Sequence, residues 1–173
     1  MQQNKNGLMI NYAMHYGAIL GVFWALKHLV FVGADYFQPF IYLYYLLNAV
    51  TFVLLYVYYF KFRDSDPEIP KSAIQCIMFI ISLCFFASFF EAAMIYIHLQ
   101  FIDPAYFSTK IEPVIKGMIA SFPYPDKVKS DVLAISLNKM FYIVSDFIGN
   151  IFFGGVMGAI LALIIGNKKR NSI

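Results

Sequence analysis

The chain alternates between long apolar runs and short polar breaks. Residues 6–26, 36–60, 72–90 and 147–167 contain no Asp, Glu, Lys or Arg, in runs of 21, 25, 19 and 21 residues. A helix rises 1.5 Å per residue, so about 20 such residues cross the hydrocarbon core of a bilayer. The pattern predicts four membrane-spanning helices, over about 8–33, 40–60, 72–102 and 140–166. The expected fold class is all-α: a polytopic membrane protein in which a bundle of four transmembrane helices carries a short helical outer loop over 103–139, with 1–173 forming a single membrane domain.

The breaks fit this reading. Ala34-Asp35-Tyr36-Phe37-Gln38-Pro39 is short, which makes the first two spans antiparallel neighbours. Tyr36, Tyr42, Tyr44 and Tyr45 at one end of the second span, and Tyr56, Tyr58, Tyr59 and Phe60 at the other, form the aromatic belts of a spanning helix. The third span, at about 46 Å, is too long for one crossing and should tilt or protrude. In the outer loop, Asp103-Pro104 is a helix start, Pro113 should bend or interrupt that helix, and Phe122-Pro123-Tyr124-Pro125 is a break. Val128, Val132, Ile135 and Leu137 then predict an amphipathic segment lying against the membrane or the bundle. The apolar stretch from Leu8 to Ala34 is longer than the 7–15 residues of a signal-peptide core, so it is expected to be a retained span.

Composition sharpens the class. Of 173 residues, 61 % are hydrophobic and only 13 % charged, where soluble domains carry about 25 % charged residues. The net charge of +3 comes from basic residues spread along the whole chain, which is no nucleic-acid footprint. Lys5, Lys61, Arg63, Lys71, Lys168, Lys169 and Arg170 fall on one side of the predicted topology. The positive-inside rule then puts both termini in the cytoplasm. The basic tail Lys168-Lys169-Arg170 is an anchor suited to anionic lipid. Cys76 and Cys84, eight residues apart on one helix, are roughly 12 Å apart and cannot bridge each other.

Two patterns are candidates for packing and chemistry. Small residues recur every fourth position in the first span (Ala13, Gly17, Gly21, Ala25) and the last (Gly154, Gly158, Ala162, Gly166). Such ladders let helix backbones approach closely, and the two antiparallel spans are expected to pack on each other or on a partner. Three ionisable residues form the second pattern. Lys27, Glu91 and Asp146 each fall about 28–32 Å from the inner boundary of their span, near the outer edge of the hydrocarbon. A basic residue level with two acids predicts pairing. His28 shares the helical face of Gly17 and Gly21, and so is expected to face Asp146 and Asn150. Cys84, Ser88 and Glu91 share a face of the third span, and His98 lies two turns beyond. The leading expectation is a paired cluster that fixes helix register. The alternatives are a site for a proton, ion or headgroup, and snorkelling of Lys27 to the surface.

No catalytic constellation accompanies these residues. His15, His28 and His98 lie on separate segments, without metal-ligand spacing. Gly149 to Gly154 has P-loop glycine spacing, but Gly155 and Val156 stand where Lys and Ser/Thr are required. Ser145-Asp146 is a bare dipeptide beside a distant His28. The sequence therefore predicts no enzyme, no cofactor and no metal. It predicts an accessory subunit of another membrane protein, such as a lipid-linked envelope enzyme, or else a small oligomeric transporter or lipid-handling protein. Its expected partners are membrane lipids, a second membrane protein or a second copy.

Asn11-Tyr12, Tyr16-Gly17-Ala18-Ile19-Leu20-Gly21, Ile102-Asp103-Pro104-Ala105-Tyr106-Phe107 and the last span from Gly154 to Gly166 with its basic tail together resemble domain of unknown function 4199, a family of four-span inner-membrane proteins typical of Bacteroidota. The resemblance implies the four-span architecture and a bacterial inner membrane, and it carries over no catalytic residues. Small multidrug transporters are similar only in length and span number. Their essential carboxylate lies in the first span, whereas this chain has Glu91 in the third, and they lack the long outer loop.

Overall fold

A computed structural model describes residues 5–66 and 71–165. The described chain is all-helical, with four helices long and apolar enough to cross a membrane. These are α1 (Lys5–Gly33), α2 (Phe40–Arg63), α3 (Ala73–Ile97) and, after two short outer helices α4 (Glu112–Ser121) and α5 (Asp126–Ser136), α6 (Lys139–Ile165). The protein is a multi-pass membrane protein. Its outward faces are apolar, including Val53, Phe89, Phe152 and Leu163. Local chemistry sets the helix ends. Ser72 and Gln75 make a capping box at the start of α3: the Gln75 N–H donates to Ser72 Oγ (3.2 Å) and the Ser72 N–H to Gln75 Oε1 (2.8 Å). Asn138 Oδ1 accepts from the N–H groups of Met140 (2.8 Å) and Phe141 (3.2 Å), capping α6.

The core is built around α3. Phe79, Ile80, Leu83, Cys84 and Ala87 are fully buried there, with α1 on one side and α6 on the other, while α2 packs mainly on α1. The glycines explain the spacing. A Cβ on Gly17 would lie 2.7 Å from Phe86 Cβ and 2.8 Å from the Leu83 carbonyl oxygen. One on Gly21 would lie 2.8 Å from the Ala87 carbonyl oxygen, and one on Gly154 2.8 Å from Cys84 Cβ. Gly158 lies against Ile77. The expected pairing of the two ladders with each other is therefore corrected: each packs on α3. Medium-sized α3 residues, not a facing small-residue ladder, fill the space. Ala13 is buried and Ala162 packs against the same core, whereas Gly166 and Lys168-Lys169-Arg170 lie outside the described residues.

The outer segment is more structured than a loop. Beyond Ile97 the backbone widens into a π-turn over His98–Ile102, and a second π-turn over Phe107–Ile111 precedes α4. The second has a cause. Pro113 has no N–H for the carbonyl four residues back and its ring would crowd it, so the ladder widens and α4 restarts with Pro113 in its first turn. The Asp103 carboxylate accepts from the Ala105 N–H (3.1 Å) in the preceding turn. The overlong third span protrudes into a second apolar core of Ile95, Leu99, Tyr106, Phe107 and Ile143. The Lys139 ammonium donates to the carbonyls of Leu99 (3.3 Å) and Pro104 (3.1 Å), closing the end of that span with a cation. Lys110 pairs with Asp35 at 3.1 Å and ties the segment to the α1–α2 turn. Burial, with Asp35, Tyr142 and Asp103 nearby, pushes the Tyr106 phenol up to about 12, so it stays neutral.

Candidate functional site: a charged layer between the helices

Lys27, Glu91 and Asp146, which the sequence places at one level, meet in the structure, joined by Asn150 one turn along α6 from Asp146. The Lys27 ammonium is 3.8 Å from Glu91 Oε1, and both side chains are only 12 % and 11 % exposed. The Asn150 amide Nδ2 donates to Glu91 Oε2 at 2.9 Å and to Asp146 Oδ2 at 3.2 Å. One amide thus bridges two carboxylates, and one ammonium serves both, with the closer contact to Glu91. The residues come from α1, α3 and α6. The close approach that the glycines permit carries the layer, because the Glu91 side chain must meet both Lys27 of α1 and Asn150 of α6.

A fourth helix contributes a residue that the sequence did not single out. Asn48 of α2 accepts from the Lys27 ammonium (3.5 Å) and donates to the Tyr44 carbonyl (2.9 Å). An amide inside a charge-free run gives no formal charge to draw notice. Its only signal was polarity in the middle of an apolar span. Lys27 also sits 5.4 Å over the Trp24 ring. Beside the layer, Trp24, Lys27, Asn48, Thr51 and Asn150 line a half-enclosed cleft of about 180 Å³ between α1, α2 and α6. Trp24 is 1 % exposed, and its indole Nε1–H has no acceptor. Buried N–H groups normally have one, so this buried donor is an exception beside the cleft.

The family model described as "Protein of unknown function (DUF4199)" matches residues 15–167, which include all of this layer. The chain belongs to the DUF4199 family. No curated protein and no solved structure matches it.

In this DUF4199 protein the remaining predicted site residues fall as follows. Ser88 is buried, but its hydroxyl donates to the Cys84 carbonyl at 2.7 Å along its own helix, so it supports α3 and does not join the charges. His28 is corrected. It was expected to face Asp146 and Asn150, yet its Nε2 lies 3.2 Å from Nδ1 of His98 on α3. The helical face was inferred correctly, and α3 occupies it instead of α6. The Tyr106 ring closes over His98 at 4.5 Å between centroids. Among the described residues no three His, Cys, Asp or Glu side chains converge as metal ligands.

Proposed function

We propose that this DUF4199 protein is a non-enzymatic membrane protein that binds a proton, in exchange with a cationic solute or headgroup, at its charged layer. The reading rests on one observation, the charge balance of that layer. Two carboxylates share one amide donor and face one ammonium. A link that only fixed helix register would close with a single acid against Lys27, which leaves Asp146 in surplus. An unpaired charge costs about 2.5–3.5 kcal/mol at the centre of a membrane helix, and less toward the interface. A proton or a cationic group on the carboxylate pair removes that cost. The adjoining cleft, lined by the Asn48 and Asn150 amides and the Thr51 hydroxyl, supplies space for the incoming group.

The test is infrared difference spectroscopy on the protein in lipid nanodiscs, between mildly alkaline and mildly acidic buffer. A protonated-carboxyl band is expected to appear in wild type and to vanish in Asp146→Asn, with the thermal transition retained. An identical difference spectrum in wild type, Asp146→Asn and Glu91→Gln would refute the reading.

A second reading, an accessory subunit of another membrane protein or of a homo-oligomer, is supported by α2. This helix packs mainly on α1 and turns Tyr42, Tyr45, Phe52 and Tyr56 outward. A stoichiometric second protein in native mass spectrometry of the complex from its own membrane would favour it. The distribution of basic residues supports both termini in the cytoplasm, and the family resemblance supports a bacterial inner membrane as the location.

A further inference from the structure

Outside the charged layer, α4 and α5 form a hairpin over the outer end of α6, and neither helix has a buried residue. Their apolar sides do not close on each other. They wall a half-enclosed cavity of about 510 Å³, within the range of about 300–1,000 Å³ typical of ligand sites. Ile119, Phe122, Val132 and Phe141 dominate the lining. Such a space does not hold water, which needs two to four polar partners. Its floor is at a defined depth. Ser145, which lines it, lies 22 residues from Asn167, where the last charge-free run ends, or about 33 Å, close to one hydrocarbon thickness. The cavity therefore begins where acyl chains end and headgroups begin. Its remaining wall includes Lys129, whose ammonium donates to the Ala120 carbonyl at 3.3 Å. Among the described residues no carboxylate comes within ion-pair distance of it.

We propose that this cavity binds one acyl chain of an anionic phospholipid from the outer leaflet, with the phosphate on Lys129. Depth, apolar lining and an uncompensated cation at the headgroup level all select that occupant. A zwitterionic lipid satisfies the lining but not the charge. A partner's apolar side chain satisfies neither the depth nor the charge.

The test titrates the delipidated full-length protein in detergent with phosphatidylglycerol or phosphatidylcholine of matched chains, read by native mass spectrometry. Wild type is expected to retain one phosphatidylglycerol about fivefold better, the factor that corresponds to about 1 kcal/mol per basic residue at an anionic surface. Lys129→Gln should bring the two lipids to parity. Ile119→Trp, which fills the cavity, should release both. Lys129→Gln removes the charge while keeping a polar side chain with an N–H donor in the wall, so it decides the matter even if Ile119→Trp does not fold. Equal retention of the two lipids by wild type, or undiminished retention by a folded Ile119→Trp, would overturn the proposal.

Discussion

Gly17→Ala tests whether the close α1–α3 approach carries the fold. The added methyl would lie 2.7 Å from Phe86 Cβ and 2.8 Å from the Leu83 carbonyl oxygen, where ordinary contact starts at 3.4 Å. Neither neighbour can swing aside, since one is backbone and the other is bonded to it. The helices must part by roughly half an ångström along the whole contact, an overpacking cost of about 1–3 kcal/mol. The gain in helix propensity of Ala over Gly offsets about 1 kcal/mol of that. The net loss is about 0–2 kcal/mol, a fall of up to about 8 °C in Tm at about 2–4 °C per kcal/mol for a chain of this size. Gly149→Ala is the internal control. Nothing lies within 4 Å of its Cβ position, so only the propensity gain remains and Tm should hold or rise. Cys76 and Cys84 provide the assay, because both are free and at most 1 % exposed. A dye that fluoresces on reacting with thiols reports their exposure as detergent-solubilised protein is heated. Gly17→Ala with Gly21→Ala should cost less than the sum of the two, because one displacement of α1 relieves both clashes. A Gly17→Ala protein that melts as high as Gly149→Ala would refute the reasoning.

The same assay separates the two acids. Glu91→Gln removes the anion in direct contact with the Lys27 ammonium and should cost about 3 kcal/mol, whereas Asp146→Asn, which among the described residues has no cation within 4 Å, should cost less than about 1 kcal/mol. Reversal of that order would mean that Asp146 is the partner of Lys27. Lys139→Met strips the cation from the Leu99 and Pro104 carbonyls and should cost about 1–2 kcal/mol, with faster amide hydrogen exchange confined to the π-turn at His98–Ile102; exchange unchanged there would count against the capping role. A cysteine at exposed Ser121 should react with an impermeant reagent from the outer side only, and labelling from the cytoplasmic side alone would invert the topology.

The spans were legible because one physical requirement, an uncharged helix of about 20 residues, writes itself over whole segments. The level of Lys27, Glu91 and Asp146 was legible for the same reason: helical rise converts residue number to depth. Lateral arrangement was not. Gly17, Gly21, Gly154 and Gly158 announce that something comes close without saying which helix does, and the residues that fill the contact on α3, Leu83, Cys84 and Ala87, carry no small-residue signature. The misplacement of His28 followed from that one ambiguity. The π-turn before α4 could be anticipated as an interruption from Pro113, but its form depends on backbone bonds that no single residue specifies.

The central position of α3 also dictates an order of events during synthesis. Lys27 enters the bilayer with α1, but Glu91 is made 64 residues later and Asn150 a further 59. At about 5–20 residues per second the ammonium waits about 3–13 s for its counter-ion, with the Trp24 ring of its own helix and Asn48 of α2 as its partners in the meantime. The first two spans therefore form a provisional pair held by that amide. The glycine face of α1 stays open to lipid until the third span arrives, and the nascent chain is most vulnerable to quality-control proteolysis in the interval between its second and third helices.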